Sequence, residues 1–264
     1  MSKTKIDWAD EVWNPTTGCT KVSAGCKNCY AERIFERFWH GQKFSDVRCY
    51  PSRLDQPSHW RKPRRVFVDS MSDLFHEDVP DEFIWKVFET ITMGNRRHTY
   101  MILTKRPARM KAWFDAYQER FWHYHAPDQS QGEYVSAPWP DPCIWLGVSV
   151  ENQKAADERI PLLLQTPAAV RFVSVEPMLG AVDLDPTYRG FFGTLPNQPG
   201  IDWVICGCES GPGARPMAPS WVENLRDQCV EAGVPFFLKQ ILLGGKLVKM
   251  PVLDGKVYNQ YPQI

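Results

Sequence analysis

Six short apolar runs, rich in β-branched and aromatic residues, punctuate the chain: RVFVDS at 65–70, HTYMILTK at 98–105, IWLGVSVE at 144–151, VRFVSVEP at 170–177, DWVICGCE at 202–209 and VPFFLKQ at 234–240. Their apolarity is nearly continuous rather than alternating, the pattern of strands covered on both faces in a parallel sheet or barrel. Helical spacing fills the intervals. Residues 80–93 (PDEFIWKVFETITM) put Phe83, Ile84, Val87, Phe88 and Ile91 on one side, with acids in the first turn and Gly94 as the stop. Residues 152–164 read as another helix. Residues 219–232 read as the clearest, with Ser220 as cap, Glu223 three residues on and Gly233 closing the run. Repeated strand–helix alternation predicts an α/β chain of βα units with right-handed crossovers.

Polar residues gather where the strands end. Asp69, Ser70 and Asp73 follow the first run, Thr104, Lys105 and Arg106 the second, and Ser149, Glu151 and Asn152 the third; Ser174 and Glu176, then Glu209 and Ser210, then Lys239 and Gln240 follow the rest. Carboxyl ends of parallel strands are where barrels and open α/β sheets assemble their sites, so this distribution points to an enzyme. Helix capping competes as the reading of Asn152 and Ser72. Two stretches break the rhythm. Residues 107–142 form a long link, helical at 108–122 and loose beyond, whose rings at Trp113, Phe114, Tyr117 and Trp122 and whose His123 and His125 suit either a lid or ordinary helix packing. Residues 183–201 are a Gly/Pro-rich loop, and the tail from Gly244 has an Asp254-Gly255 turn between short apolar runs, the mark of a small hairpin.

Composition adds bounds. With 264 residues, 43% of them hydrophobic, the chain can bury a substantial core. Asp7, Asp10 and Glu11 interrupt the start where a secretion signal needs an apolar run, and no segment approaches the roughly 20 apolar residues that span a bilayer. A cytoplasmic protein with no membrane partner is therefore expected. The 31 basic and 31 acidic residues leave no whole-molecule attraction to a polyanion. Two local basic clusters, at 48–65 and 96–111, could receive phosphates if the fold joins them, or could be solvated faces.

Three of the 8 cysteines, Cys19, Cys26 and Cys29, fall in CTKVSAGCKNC. In a reducing compartment such bunching suggests metal ligands or catalytic thiols rather than disulfides. Three thiolates could hold three corners of a cubane iron–sulfur cluster and leave the fourth iron open. Zinc is the rival, with Cys49, His40 or His59 as a fourth ligand. Cys206 and Cys208 alternate along one strand and read as separate small hydrophobes.

The stretch CTKVSAGCKNCYAERI resembles a variant of the radical S-adenosylmethionine motif, with a CX6CX2C spacing and Tyr30 after the third cysteine. WNPTTGC with GCKNCYA, VFVDSMSDLF, LTKRP, GVSVENQ, FVSVEPMLG, CGCESGPGARPM and FFLKQ together resemble the phage Gp37/Gp68-like family over nearly the whole chain. The resemblance implies a partial (βα)6-type TIM-like barrel over 1–243, with a long insertion after the third strand at 107–142, and a C-terminal extension at 244–264. It implies a [4Fe–4S] cluster on Cys19, Cys26 and Cys29, with S-adenosylmethionine on the open iron. Tyr30, Ser70, Met71, Ser72, Asp73, Lys105, Arg106, Ser149, Glu151, Asn152, Glu176 and Glu209 would then bind the cofactor, although the Gly-Gly-Glu form common at 70–73 is absent. The three cysteines, Lys105 and Glu176 would be catalytic.

The implied activity is that of a radical enzyme. An electron from a reductant such as flavodoxin or ferredoxin would generate a 5′-deoxyadenosyl radical, which would isomerise or otherwise modify a substrate. A hypermodified thymine nucleotide, or such a base in phage DNA, would be that substrate, with the host cytoplasm as location and a monomer as the working form. The alternative is a zinc-stabilised nucleic-acid-binding or regulatory protein. A third reading is divalent-metal hydrolysis at Asp69, Asp73, Glu151 and Glu176.

Overall fold

A computed structural model describes residues 4, 6–125, 139–184, 191–193 and 199–263, with side chains left undescribed at 118 and 121–125. The strands are β1 (Glu11–Trp13), β2 (Thr16–Thr17), β3 (Arg48–Cys49), β4 (Arg65–Val68), β5 (Thr99–Thr104), β6 (Ile144–Ser149), β7 (Val170–Val175), β8 (Trp203–Gly207), β9 (Phe236–Leu243), β10 (Lys246–Lys249), β11 (Val252–Leu253) and β12 (Lys256–Val257). The helices are α1 (Tyr30–Phe38), α2 (Asp81–Thr92), α3 (Pro107–His125), α4 (Gln153–Leu164) and α5 (Pro219–Glu231).

Eight strands form one sheet in the order β1-β4-β5-β6-β7-β8-β9-β10, parallel throughout except at the β9–β10 hairpin. The sheet is curled and open, since among the described residues no pairing joins β1 to β10. Short ladders also pair β2 with β3, and β11 with β12 across the Asp254-Gly255 turn. Among the described residues no helix is long and apolar enough to cross a membrane.

The near-continuous apolarity of the strands has a cause on each face. One face carries Val66, Val68, Tyr100, Ile102, Leu146, Val148, Val173, Val175, Val204 and Leu238, which pack with helix residues such as Ile84, Val87, Ile160, Leu163 and Leu225. The other carries a second core of Phe67, Met101, Trp145, Phe172, Trp203, Ile205 and Phe237, covered by Trp8. Alternation along a strand assigns successive residues to the two faces. Gly147 makes room inside this second core, because a Cβ there would lie 2.5 Å from Cζ of Phe172.

The helix ends follow local chemistry. Asn152 caps α4 by accepting the Ala155 amide at 3.0 Å. Ser220 does not cap α5: Ala218 takes that place without a side-chain bond, and Pro219 occupies the first turn. Proline's fixed φ suits that position and starts the helix earlier than the Ser/Glu pattern suggests. Trp113 and Phe114 are buried against Phe75 and Phe88, and Tyr117 stacks on Trp113 at 4.9 Å, so these three rings pack α3 against its neighbours. The side chains of Trp122, His123 and His125, and the loose stretch 126–138, lie outside the described residues.

Candidate functional site

Past the aromatic layer the second face changes character. Continuing the alternation toward the carboxyl ends gives Leu103 then Lys105 after β5, Gly147 then Ser149 on β6, Ser174 then Glu176 after β7, and Lys239 on β9. Bulky rings thus give way to small residues and then to charged ones. Glu176 pairs with Lys239, and a Cβ at Gly207 would lie 3.4 Å from the Glu176 carboxyl carbon. The Ser149 hydroxyl donates to the Glu176 carbonyl at 3.2 Å.

Residues 18–33 cross this rim as a strap. Gly18 donates its amide to the Met71 carbonyl at 3.1 Å, and its φ of 93° and the Asp46 carbonyl, 2.6 Å from where a Cβ would stand, leave no room for a side chain. The Thr20 hydroxyl meets His76 Nε2 and Arg106 Nη2, each at 2.8 Å. Gly25 donates to Glu151 at 3.4 Å, and Asn28 donates to Glu209 at 2.8 Å and to the Gly213 carbonyl at 3.0 Å. The Tyr30 hydroxyl donates to the Ser70 carbonyl at 2.6 Å, and Arg33 donates to the Ser210 carbonyl at 2.6 Å. The strap is therefore tied to the ends of β4, β5, β6 and β8.

Most rim acids are committed to partners. Asp73 accepts from the Thr104 hydroxyl at 2.7 Å and from the Lys105 and Phe75 amides at 3.0 Å, with Arg106 Nη1 3.5 Å away. Glu151 faces Arg159 at 3.0 Å; burial opposes its ionisation, but Ser23, Arg159 and Lys105 together hold the carboxyl below its usual range. Burial likewise opposes ionisation of Glu209, and the Arg215 side chain and amide override it, bringing that carboxyl down to about 2. Ser70 donates to Asn14 at 3.1 Å, which also accepts the Met71 amide at 3.0 Å, while Ser72 shares a 2.7 Å bond with Thr16. Two groups are not committed. The Lys105 ammonium has neither a hydrogen bond nor an ion pair among the described residues. Asp69 is buried with φ 57°, accepts the Thr16 amide at 3.0 Å on Oδ1, and leaves Oδ2 without a partner.

Arg159, Arg215, Asn28 and Asn14 are rim residues that the sequence reading missed. Arg159 had a signal: eight residues beyond Glu151, it lies two turns along α4 from the cap and faces back to the strand end. Arg215 and Asn28 had none, because both reach Glu209 from irregular segments.

The three cysteines do not form the expected cluster. The Cys19 amide bonds the Phe44 carbonyl, while its sulfur lies 3.4 Å from the Thr20 carbonyl oxygen and 3.5 Å from Arg106. Burial, with Asp73 adding to it, pushes the Cys19 thiol up to about 12 against the pull of Arg106. Cys26 ends a 3-10 turn beside Ser23, and Cys29 stands before α1. Among the described residues no three His, Cys, Asp or Glu side chains are grouped to hold a metal ion. This corrects the expected [4Fe–4S] cluster and S-adenosylmethionine site, and with them the radical enzyme, its isomerase activity and its DNA-modification role. The zinc alternative and the divalent-metal reading are corrected on the same finding.

No curated protein and no solved structure matches the chain. The family model that matches, over residues 3–262, is described as a protein of unknown function (DUF5131), which replaces the phage Gp37/Gp68-like and radical S-adenosylmethionine resemblance. The chain belongs to the DUF5131 family.

Proposed function

We propose that the protein binds a small anionic molecule, a carboxylate or a phosphate of nucleotide size, on the concave carboxyl-end rim, beside the Glu176–Lys239 ion pair. The reading treats the curled sheet as a partial barrel of the (βα)6 type over 1–243, with 244–264 as an extension. Lys105 is the observation that carries it. Arg106, Arg159, Arg215 and Lys239 each pair directly with a carboxylate, whereas the half-buried Lys105 ammonium makes no ion pair among the described residues and acts on Glu151 only at longer range. A cation partly withdrawn from water, among neighbours already neutralised, gains most from an anionic ligand. Ser149 and Ser174 lie on the same face as hydrogen-bonding neighbours, and the Ser70–Asp73 turn forms the adjoining wall. The Glu176–Lys239 pair borders the same face, with Lys239 already neutralised by its carboxylate.

A small ligand fits better than a long polyanion because the basic cluster at 96–111 is largely spent on ion pairs. Arg65 pairs with Asp10, Arg96 with Asp141, Arg109 with Asp81 and Lys111 with Asp115. Titration calorimetry of the full chain with inorganic phosphate, a nucleoside monophosphate and a dicarboxylate tests the reading. At least one should bind, and Lys105→Met should weaken that binding by about tenfold or more, or about 1.4 kcal/mol. Unchanged affinity in Lys105→Met, or no binding of any of the three to the wild-type chain, would overturn it.

A further inference from the structure

We propose that the amino ends of β4 and β5 hold a separate anion site, built around Arg64 and Arg97 with Arg61 and Lys62 beside them, which takes a short polyphosphate chain of the kind a nucleoside di- or triphosphate carries. The site lies at the opposite end of the sheet from Lys105 and does not depend on what the rim binds. β5 alone, with 6 residues at about 3.3 Å each, sets the two ends roughly 20 Å apart, beyond the roughly 8 Å over which charges interact in physiological salt.

Two segments that contain no acidic residue meet there, QPSHWRKPR at 56–64 and GNRRH at 94–98. The parallel register puts Arg65 opposite Thr99, and the Thr99 amide donates to the Arg64 carbonyl at 2.8 Å. Arg97 Nη2 donates to the Ser58 carbonyl at 3.3 Å, and the buried rings of Trp60 and His98 meet edge-on at 5.7 Å, so the two segments are held together. Burial holds His98 below its ordinary value against the Pro57 carbonyl, and the Arg97 and Arg64 charges add to it, so both guanidiniums act on one ring. The fold thus joins cations that lie more than 30 residues apart in the sequence.

A merely solvated basic face leaves each charged N–H to water, and this one does not. Arg64 Nε is buried with no hydrogen-bond partner, a costly state that a ligand oxygen would relieve. Arg97 Nε also lacks an acceptor. His98 Nε2 lies 3.5 Å from it but 3.2 Å from the Pro57 carbonyl, which can only accept, so that nitrogen carries the proton and has no lone pair for Arg97. Arg61 and Lys62 are exposed. Among the described residues Arg61, Lys62, Arg64 and Arg97 make no ion pair, whereas Arg65 and Arg96 beside them pair with Asp10 and Asp141. Arginine forks match the paired oxygens of a phosphate. One phosphate brings about two negative charges, so a chain of two or three phosphates suits this set of cations better than a single group.

The test is arginine modification of the full chain by phenylglyoxal, mapped by peptide, with tripolyphosphate present or replaced by potassium chloride at equal ionic strength. Saturating tripolyphosphate should slow modification of Arg64 and Arg97 by about tenfold, in the wild-type chain and equally in Lys105→Met. Arg97→Gln and Arg61→Gln, both at exposed positions, should raise the tripolyphosphate concentration needed to protect Arg64 by about fivefold or more. Equal protection by potassium chloride would reduce the effect to screening and overturn the site. Protection lost in Lys105→Met would place the anion at the rim, and protection by an oligonucleotide but not by tripolyphosphate would replace a compact site with an extended surface; either result overturns the proposal, as does protection unchanged in both glutamine variants.

Discussion

Asp69 combines a carboxyl 3% exposed, a φ of 57° and an oxygen with no partner, all in one residue at the end of β4. Burial raises its pKa most, the bonded Thr16 amide and, more distantly, the Ser72 and Thr16 side chains oppose this, and the net value is about 7 against an ordinary 3.8. The fold therefore holds a proton that the unfolded chain has released. Stability falls as pH rises from about 4 to about 7 and is level above that, by up to about 4 kcal/mol at about 1.4 kcal/mol per unit. Asp69→Asn keeps an acceptor for Thr16, tolerates the left-handed backbone and has no charge to lose. Urea denaturation should show its advantage over the wild-type chain growing between pH 4 and pH 7 and constant beyond, and an advantage independent of pH would refute this account. Glu209 has the opposite sign, contributing stability above its ordinary range that is lost as pH falls toward 2. Asp69, Lys105 and Glu176 were legible in the sequence because each directly follows an apolar run. Their arginine partners were not, since Arg159 sits in the solvent-like string ADER and Arg215 in an irregular turn. Nor was the fate of the thiols: CX6CX2C limits how far the chain can reach, not the route it takes across the rim.

At the scale of elements, the parallel strands could be read because each is long enough to show its apolarity, and β6 and β7 begin where the sequence places them. β1 could not, since three residues, EVW, display no period. The two-face burial behind the uniform apolarity also hid which face was which. Register resolves it: Gly147 pairs with Phe172 across β6 and β7, and the missing Cβ is what admits the ring. Phe172 is fully buried, with Trp203 at 5.8 Å, so it has little room to retreat. Gly147→Ala should therefore cost about 1–3 kcal/mol, the usual penalty of overpacking, in spite of alanine's lower backbone entropy cost. Urea midpoints measure it directly. A neutral result would mean that the aromatic layer shifts as a unit, and the rim it supports would then be less fixed than these contacts imply.

For the whole molecule, an open parallel sheet leaves two edges that need securing, and here side chains do what a closing strand would do in a full barrel. The segment after β12 runs along β9, with the Leu238 amide bonded to the Tyr258 carbonyl at 2.8 Å and the Gln260 amide to the Phe236 carbonyl at 3.2 Å. Gln260 also accepts from the Trp203 indole at 2.9 Å. Tyr261 packs on Trp203 at 5.2 Å and on Phe237 at 5.5 Å, and the Arg65 guanidinium lies 4.1 Å above its ring. Arg65 in turn pairs with Asp10 beside β1, so one aromatic ring links β8 and β9 to the opposite side of the sheet. Tyr261→Ala should lower stability by about 2–3 kcal/mol through lost packing and lost cation–π attraction. Tyr261→Leu keeps much of the apolar contact and should lose about 1 kcal/mol, the share due to the cation over the ring. Because the clamp acts at the amino-terminal edge while Lys105 stands at the carboxyl-end rim, both variants should retain wild-type anion affinity at temperatures where they remain folded. A matching fall in affinity would show instead that closing the sheet below shapes the site above, and that the two edges act as one mechanical unit.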